Sequence, residues 1–586
     1  MSKTYLATSG ISEIWDLDKK LLLLGPWCLT EQKNRALVKN REYLLVPSPW
    51  KPAYKIKEGA DYCYSIYEKL LPELSERLNL AHQVSYPAEY WRVLVGDWLL
   101  HFIGILYDRY KRIENSIEMF SDFYTHALPE EQCEIPSFDT RDSHNKLKED
   151  YYNLKLFSLI VHYLCPQRII IKDRINFEYK ICTDNVKYDW KVKSFYNLIK
   201  ILDLFFKSDI FLTDMYHLKC MHILLLKWEL GLKVVSFRNF YPLKMTILNK
   251  NYSSAFREKL KLEPSNNSDK FLFLLYKLIP RVIPLSYVEN YNLYRDSVKN
   301  IGIGKIIGSA VGWYFNERFK FYAAEAAIKG SRLIEFQHGG GYGFSLSEPN
   351  EQLALDKNIF YTWGWSLKED NNAKPLPSIY LSNLKDTHSF KINKILFAGT
   401  FVSPYGYRLN TSLQPDDMQN YFEYKKIFFR TLRKEVKQNV LYRPYISSLG
   451  WNEKEYIKEI CPNIKFLLKG KLIDYMQKVN LVVIDNPQTS FLEALAINVP
   501  CVLYWDHETY LMRREAEEYF ELLRKAHMLY RSPEDAARKV NEIYDNPMKW
   551  WLNSDIQNAR NNFCERYAFA SKDWLNIWAK EFRQLL

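Results

Sequence analysis

Two short stretches of the sequence contain residue types and spacings that could do chemistry. In the first, "EFQHGGGYGFS", His338 is followed by Gly339, Gly340 and Gly341, and a fourth glycine comes two residues later. Glycine loses more conformational entropy on ordering than any other residue, so this density indicates a close approach by another group. Bare amides after a strand can form an anion site, and His338 could take a proton or stabilise a departing phosphate. A glycine-rich hinge with a hydrogen-bonded histidine is the alternative interpretation.

The second stretch, "DNPQTSFLEAL", begins at Asp485, where a strand is expected to end. A helix is predicted to start at Thr489 or Ser490. The free N–H groups and partial positive charge of a helix start favour phosphate binding. Ser490 and Glu493 also have the spacing of a capping box, which would satisfy the same amides internally. Both interpretations remain open from the sequence.

The elements that must position these residues alternate between short apolar strands and longer helices. This alternation is typical of parallel sheets covered by helices on both faces. Strands are predicted in the first half at "TYLAT", "KLLLLG", "RIIIK", "DIFLT", "KVVSF", "RLIEFQ" and "NIFYTWGW". Further strands are predicted at "KILFAGT", "NVLYRPY", "IKFLLKG", "NLVVIDNP" and "PCVLYWD". Helices are predicted over 314–330 and near 420–437, where Phe428, Leu432 and Val436 form a core stripe.

The predicted fold class is α/β, with two Rossmann-like domains whose parallel sheets face each other across a cleft. The amino-terminal domain (1–365) carries the glycine motif and extra helices. A polar, proline-containing linker (366–390) leads to a nucleotide-binding domain (391–550). The helices of 551–586 are predicted to cross back to the first domain.

In open α/β sheets, ligands bind beyond the carboxyl ends of the strands. A phosphate is expected at the helix start, with a forked contact from the guanidinium of Arg443. The residues expected to collect at the ends of the second set of strands are Gly399, Thr400, Arg443, Asp485, Thr489, Ser490, Glu493, Asp506 and His507.

Composition limits the classes of partner. The chain of 586 residues has a net charge of +12, which suits an anionic small substrate, a nucleic acid, an anionic membrane surface or simply solubility. No block of five or six basic residues is present, so nucleic-acid binding is the weaker interpretation. Nine cysteines without a C-x-x-C pair favour reduced thiols in the cytoplasm and disfavour a zinc site. No apolar run reaches the ~20 residues of a membrane span, so any membrane contact should be peripheral.

Weaker signals are present elsewhere. "DLD" at Asp16–Asp18 imitates a metal-binding D-x-D motif, but it lies just before a strand, and no metal is expected. "GIGKIIG" (302–308) lacks the spacing of a dinucleotide fingerprint. The carboxylates that remain candidates for a general base are Glu13, Asp16, Glu89 and Asp97.

Four segments carry a family resemblance: "LATSGISEIWDLDKKLLLLGPWC", "YWRVLVGDWL", "EFQHGGGYG" and "FLEALAINVPCVLYWD". Together they resemble a family of bacterial transferases encoded among surface-polysaccharide genes. More remotely, the strand-Q-H-G pattern is similar to the capsule Kdo and nonulosonate glycosyltransferases, two-domain (GT-B) enzymes that use CMP-activated acidic sugars without a catalytic metal. "HGGG" here replaces the "HG" of those relatives.

This resemblance implies a glycosyltransferase with His338 in the catalytic cleft and the donor at Thr489–Glu493, with Glu493 on the ribose. It implies no cofactor beyond a nucleotide sugar, CMP-linked by preference, and an oligosaccharide or lipid-linked glycan as acceptor. The expected location is cytoplasmic, with peripheral contact at the inner membrane. The alternatives are a non-catalytic nucleotide- or glycan-binding protein of the same architecture and, less favoured, a nucleic-acid-binding protein.

Overall fold

The computed structural model describes most of the chain. The described residues are 4–133, 136–172, 194, 197, 199, 208–231, 234–237, 240–244, 247–264, 269–346, 350–355, 357–367, 372–384, 392–445 and 450–586.

The first group of strands forms a small parallel sheet, here called the amino-terminal sheet. Its strands are β1 (Thr4–Ala7), β2 (Lys20–Leu23), β3 (Tyr43–Leu45), β4 (Thr125–Ala127) and β5 (Ile169–Ile171). β1 lies beside β2, which lies beside β3, and a bridge between Tyr5 and Tyr124 joins β1 to the β4–β5 pair. The strand order is therefore β3-β2-β1-β4-β5.

The next six strands form the central sheet, all parallel, in the order β7-β6-β8-β9-β10-β11. They are β6 (Ile210–Thr213), β7 (Val235–Phe237), β8 (Ile306–Ser309), β9 (Arg332–Phe336), β10 (Ile359–Thr362) and β11 (Ala373–Pro375). Apart from the edge strands, their side chains are almost wholly buried, as expected when helices cover both faces.

The last six strands form the carboxyl-terminal sheet, also all parallel, in the order β14-β13-β12-β15-β16-β17. They are β12 (Ile392–Ala398), β13 (Val440–Arg443), β14 (Lys465–Phe466), β15 (Val479–Ile484), β16 (Cys501–Tyr504) and β17 (Leu529–Tyr530). Renumbered from one, this is the 3-2-1-4-5-6 order of a Rossmann fold. The predicted α/β class with two Rossmann-like parallel sheets is confirmed.

The described helices cover and separate the sheets. Those in the first 330 residues are Gln32–Val38, Tyr54–His82, Ala88–Met119, Thr140–Lys146, Asp150–Leu164, Cys220–Leu230, Ser254–Glu258, Lys270–Val282, Tyr291–Asp296, Gly312–Phe315 and Glu317–Ala327. Those that follow are Asn350–Ala354, Ile379–Ser382, Met418–Thr431, Lys434–Lys437, Glu453–Ile460, Leu472–Met476, Thr489–Ala496, Arg514–Lys525, Pro533–Ile543, Pro547–Trp551, Ser554–Tyr567 and Trp574–Leu585. None of these described helices combines the length and apolarity that crossing a bilayer requires.

The helix Ala88–Met119 is the central support of the first half. It packs against the helices Tyr54–His82, Asp150–Leu164 and Glu317–Ala327, so it is buried on nearly every side. Among its buried charges, the Arg112 guanidinium contacts Asp416 at 2.6 Å and lies 4.9 Å from the Trp27 ring centroid. These contacts anchor the segment after β12 on the first half.

Several elements differ from the sequence-based predictions. The predicted strands "TYLAT", "KLLLLG" and "RIIIK" are real, but they lie in the separate amino-terminal sheet instead of the sheet that carries the glycine motif. β8 was not predicted, because it has only four residues and follows glycines in "GIGKIIG". Gly308 in this strand allows close packing, since a Cβ there would lie 2.8 Å from Ile334 Cγ1.

The segment predicted as a linker supplies ordered structure to the central sheet. Ala373–Pro375 forms the edge strand β11, where a proline without an N–H is tolerated. The chain crosses between the two six-stranded sheets here and again near Phe569. The crossings are hydrogen-bonded, from Phe569 N to Trp363 O at 3.0 Å and from Ser378 N to Phe569 O at 2.9 Å.

Two predicted helices are interrupted. The helix predicted over 314–330 breaks at Asn316, whose side-chain oxygen accepts a hydrogen bond from Phe319 N at 3.1 Å and so begins a new helix. The helix predicted near 420–437 ends at Thr431 and restarts at Lys434. Its predicted core stripe (Phe428, Leu432 and Val436) is nevertheless buried, as predicted.

The final helix, Trp574–Leu585, packs on the central sheet and on the helix Cys220–Leu230. Trp578 stacks on Phe336 of β9 with ring centroids 5.3 Å apart, and its indole N–H donates to Pro377 O at 2.8 Å. The preceding helix, Ser554–Tyr567, packs instead on the helices Thr489–Ala496 and Arg514–Lys525. The carboxyl-terminal residues thus contact both six-stranded sheets.

We predict that Trp578→Ala lowers the free energy of unfolding by about 3–5 kcal/mol, because it removes a buried indole and leaves a cavity beneath β9. Trp228→Ala is the matched control, since this indole is 83% exposed and its loss should cost within about 0.5 kcal/mol. Urea denaturation followed by circular dichroism measures both. Equal losses would contradict the packing described for the final helix.

Candidate functional site between the two sheets

The carboxyl ends of the central and carboxyl-terminal sheets face each other. On the central side, the residues after β6, β9 and β10 (Tyr216, Gln337 and Trp363) line a small crevice with Tyr380. On the other side, the segments after β12 and β15 leave the sheet at the point where its strand order reverses. Such a switch point opens a crevice that commonly receives ligands in folds of this type.

The glycine motif lies between these two edges. The Gly340 amide donates to Thr489 Oγ1 at 2.9 Å, joining the loop after β9 to the start of the helix after β15. A Cβ on Gly340 would lie 2.6 Å from Thr489 N and 2.7 Å from the carbonyl carbon of Gln488. The group that approaches this glycine is therefore the backbone of the other half of the molecule.

Glycine is required at two other positions of the loop because of their backbone conformation. Gly341 and Gly343 have φ values of +90° and +77°, which side-chain-bearing residues rarely adopt. The Gln337 amide braces the loop, since its Nε2 donates to Gly339 O at 2.7 Å. Its Oε1 accepts from the Trp365 indole at 2.8 Å. The loop is thus held in one shape by the chain around it.

His338 directly follows Gln337 of the crevice, its side chain is 22% exposed, and its ring centroid lies 6.4 Å from that of Tyr216. Its Nδ1 is 3.1 Å from the Tyr342 hydroxyl, and its Nε2 is 3.5 Å from the buried Glu351 carboxylate, which also pairs with Arg408 at 3.4 Å. Burial lowers the pKa of His338; Glu351 opposes this effect and Arg408 adds to it. The imidazole is accordingly held neutral near pH 7 and oriented by two partners.

The helix Thr489–Ala496 begins without the predicted capping box. Gln488 is its N-cap, and no side chain caps the described helix start. Glu493 instead accepts a hydrogen bond from the Tyr380 hydroxyl at 2.5 Å, while burial raises the pKa of its carboxyl. The capping-box interpretation is wrong, because the N-cap is Gln488 instead of Ser490 and the Tyr380 hydroxyl bonds to the Glu493 carboxylate. The first amides of the helix remain without a side-chain cap, and Ser490 beside them is half-buried.

A buried lysine, Lys425, lies where Gly399, Thr400 and Asp485 come together; it was not expected from the sequence. Lys425 Nζ lies 3.5 Å from Asp485 and 2.7 Å from Glu453, and a Cβ on Gly399 would lie 2.8 Å from it. The Thr400 amide donates to the Tyr421 hydroxyl at 2.8 Å, and that hydroxyl donates to Asp485 at 3.0 Å. Burial raises the pKa of Asp485, and Lys425 opposes this effect.

Arg443 is also engaged within the protein. Its guanidinium donates to the carbonyls of Leu467, Lys469 and Gly470 at 2.6–3.0 Å. It lines a cavity of about 310 Å³ together with residues near Asn452. A forked contact between this guanidinium and a phosphate would have to compete with those carbonyl bonds, and it stays a prediction.

The remaining candidates are spread over the molecule. Asp506 accepts hydrogen bonds from Asn420 and Thr509, and His507 is exposed. Glu13 pairs with Lys33 beside the amino-terminal sheet, where Tyr124 donates to Asp16. Among the described residues, Asp18 belongs to no group of side chains that could hold a metal ion. Glu89 is exposed, and Asp97 is buried.

Two groups of residues at the site were not found from the sequence. Glu351 and Arg408 are far from His338 along the chain, and no spacing connects them. A signal did exist for Lys425, because it falls at a helical spacing of three residues before Phe428, on the apolar stripe. A lysine at a core position is unusual and points to a buried charge network.

We predict that Gly340→Ala lowers stability by about 1–3 kcal/mol, because its methyl group would overlap the backbone at Gln488 and Thr489. Gly339→Ala is the matched control, since a Cβ there would meet only Thr489 Oγ1 at 3.2 Å. Thermal unfolding should therefore show the larger loss for Gly340→Ala. The reverse order would show that the two halves do not meet at this glycine.

The fold is shared with several proteins of known structure. Searched against curated proteins, the sequence has no match. Structural similarity extends to the N-terminal domain of Candida albicans trehalose-6-phosphate phosphatase (10% identity, 64% of this chain and 96% of that chain, TM-score 0.33). It also extends to WaaG, a glycosyltransferase involved in lipopolysaccharide biosynthesis (11% identity, 64% of this chain and 99% of that chain, TM-score 0.30). A third similar structure is that of the glycosyltransferase SnogD of Streptomyces nogalater (10% identity, 65% of this chain and 100% of that chain, TM-score 0.32).

A family model described as LIC12162 family transferase matches residues 4–582, nearly the whole chain. The match includes the glycine motif, the helix start at Thr489 and all three sheets. The chain therefore belongs to the LIC12162 family of transferases.

Proposed function

We propose that this transferase moves a sugar from a nucleotide donor to a glycan acceptor in the crevice between the two six-stranded sheets. The observation that carries this proposal is the junction of Gly340 and Thr489, which puts the glycine loop, an uncapped helix start and His338 at one place. A sugar nucleotide needs such a combination, because its diphosphate or phosphate must be held while the anomeric carbon stays accessible.

The donor phosphate would lie at the helix start beside Ser490, at the margin of the contact between Gly340 and Thr489, with the backbone of Gly339 and Gly341 next to it. Fixed N–H dipoles in a partly dry crevice stabilise charge that develops on a departing phosphate. The nucleoside would extend toward the switch point at Thr400 and Asp485. Glu493 could receive a ribose hydroxyl in exchange for that of Tyr380, which now occupies the carboxylate.

The transfer breaks the bond between the anomeric carbon and the phosphate oxygen and forms one to an acceptor hydroxyl oxygen. The electron pair of the broken bond stays on the nucleotide, and the acceptor proton must leave to a base. His338 is neutral and oriented by Tyr342 and Glu351, so it can accept a proton or donate a hydrogen bond near the leaving group. Its removal should affect turnover more than binding.

Within this reaction class, we propose a CMP-activated ulosonic acid as the donor, such as Kdo or a nonulosonic acid of the pseudaminic or sialic type. The acceptor would be a cell-surface glycan, either an oligosaccharide or a lipid-linked chain. Support comes from the glycine-motif resemblance and from the net charge of +12, which suits an acidic sugar. No metal or further cofactor is invoked for this step.

We predict that CMP raises the melting temperature more than CDP, UDP, GDP or a short oligonucleotide in a thermal-shift panel. His338→Ala should keep this shift but lose most sugar transfer, whereas His162→Ala, a control on the helix Asp150–Leu164 beside the amino-terminal sheet, should keep both. Stabilisation by the oligonucleotide alone would refute the enzyme assignment. Binding of a nucleotide without turnover in the wild type would favour a non-catalytic accessory protein, and unchanged turnover in His338→Ala would remove its role.

We further propose that the helix Cys220–Leu230 makes the peripheral contact with an anionic membrane surface. Its Met221, Leu224, Leu225 and Trp228 recur at i, i+3, i+4 and i+7 and are 63%, 42%, 38% and 83% exposed. Exposed cationic side chains flank this face at Lys219 and, on the adjoining final helix, at Lys580 and at Arg583, which also pairs with Glu229 at 3.3 Å. An apolar stripe with basic neighbours is the pattern of helices that lie in a lipid interface.

We predict that the wild type sediments with phosphatidylglycerol vesicles and that the double variant Met221→Ser/Trp228→Ser binds at least about tenfold less, because two large apolar side chains are lost. Leu552→Ser removes a similarly exposed apolar residue (58%) elsewhere and should bind like the wild type. Equal sedimentation of all three proteins would overturn the membrane assignment without affecting the sugar-transfer proposal.

A further inference from the structure

A cluster of three buried side chains lies outside the crevice. Asp97 and His101 are one helical turn apart on the helix Ala88–Met119, and His144 comes from the helix Thr140–Lys146. One ligand atom from each lies within 4.8 Å of the others. The three residues are only 6%, 1% and 2% exposed.

Most of the polar atoms in this cluster have no protein partner. Within the described part of the chain, neither carboxylate oxygen of Asp97 and neither ring nitrogen of His144 makes a hydrogen bond. Leaving buried polar groups unpaired costs free energy, and native proteins rarely do so without a ligand, water or ion. Four such atoms at one place therefore indicate that something binds there.

His101 is arranged as metal-ligating histidines are. Its Nδ1 lies 3.0 Å from the carbonyl oxygen of Asp97, a distance at which Nδ1–H donates to that oxygen. With the proton on Nδ1, the lone pair is on Nε2, which is 2.9 Å from the Tyr314 hydroxyl. A backbone carbonyl that fixes the tautomer in this way is a recurrent support for imidazole ligands.

We propose that Asp97, His101 and His144 bind a divalent transition-metal ion, with zinc the best match to two imidazoles and one carboxylate. Ligand atoms of a tetrahedral zinc site lie about 3.4 Å apart, given bonds of about 2.1 Å. The observed separations therefore require side-chain movements of about 1 Å or less. Tyr314 or a water completes the coordination.

Charge is consistent with this assignment. The ion would neutralise the carboxylate of Asp97, which is 6% exposed and whose Oδ1 lies 3.5 Å from His101 Nδ1. The nearest guanidinium, Arg408, is already paired with Glu351 and bonded to Tyr314. A divalent ion is thus the charge that this pocket lacks.

The proposed site connects to the crevice through a short series of contacts. Tyr314 accepts a hydrogen bond from Arg408 Nε at 3.1 Å, Arg408 pairs with Glu351 at 3.4 Å, and Glu351 lies 3.5 Å from His338. The ion would therefore position Tyr314 and the Arg408–Glu351 pair without touching the sugar donor. This role departs from the sequence-based expectation that the protein binds no metal, although it assigns no metal to the transfer step.

The test is metal binding by the intact protein. After loading with Zn²⁺ and exhaustive dialysis, we expect about one equivalent by elemental analysis. Loading with Co²⁺ should give the visible absorption of a tetrahedral or five-coordinate nitrogen–oxygen site. Asp97→Asn and His144→Gln should retain less than about a tenth of the metal. His126→Gln, which alters a buried histidine of β4, should bind like the wild type.

Because the ligand variants could fail to fold, the wild type alone decides the question. No tightly bound Zn²⁺ and no Co²⁺ absorption would overturn the proposal and favour a proton-sharing cluster in which Asp97 is protonated. Full retention of metal by folded Asp97→Asn and His144→Gln would overturn it as well. His144→Cys, which keeps a metal-binding atom, should retain Zn²⁺ where His144→Gln does not.

Discussion

The contact between the Gly340 amide and Thr489 Oγ1 is the interaction on which the site depends. It forms only because a residue without a side chain stands where two backbones meet, so it constrains the sequence and the arrangement of the two sheets together. With this contact in place, the loop after β9 and the helix after β15 share one surface. His338, Glu493 and the uncapped amides then lie around the same crevice.

Buried charge is the second organising feature. Lys425 stands between Glu453 and Asp485, and Arg408 stands beside Glu351 and Tyr314. Such pairs gain little net stability once desolvation is counted, but removing one partner is costly because the other is left alone. Their value here is geometric, since each fixes a group at a strand end: Asp485 directly after β15 and His338 shortly after β9.

Much of the architecture could be predicted from the sequence because the two central strands of the carboxyl-terminal sheet, β12 and β15, are apolar runs followed by clear turns. The ends of β12 and β15 followed directly, and with them Gly399, Thr400 and Asp485. What could not be predicted depends on contacts between distant segments. The four-residue β8 is too short to show a pattern. Glu493 accepts a hydrogen bond from Tyr380 instead of capping its own helix start. Glu351 and Arg408 come close to His338 only through tertiary packing.

The paired crossings near Trp363 and Phe569 have a mechanical consequence. The two covalent connections run side by side and are hydrogen-bonded to each other. They therefore permit rotation of one six-stranded sheet relative to the other about their common line more readily than sliding or twisting. The glycine loop lies close to this line, because Gln337 accepts a hydrogen bond from Trp363 N at 2.8 Å and donates one to Gly339 O at 2.7 Å. A rotation about this line would therefore move the contact of Gly340 with Thr489 less than it moves contacts farther from the crossings.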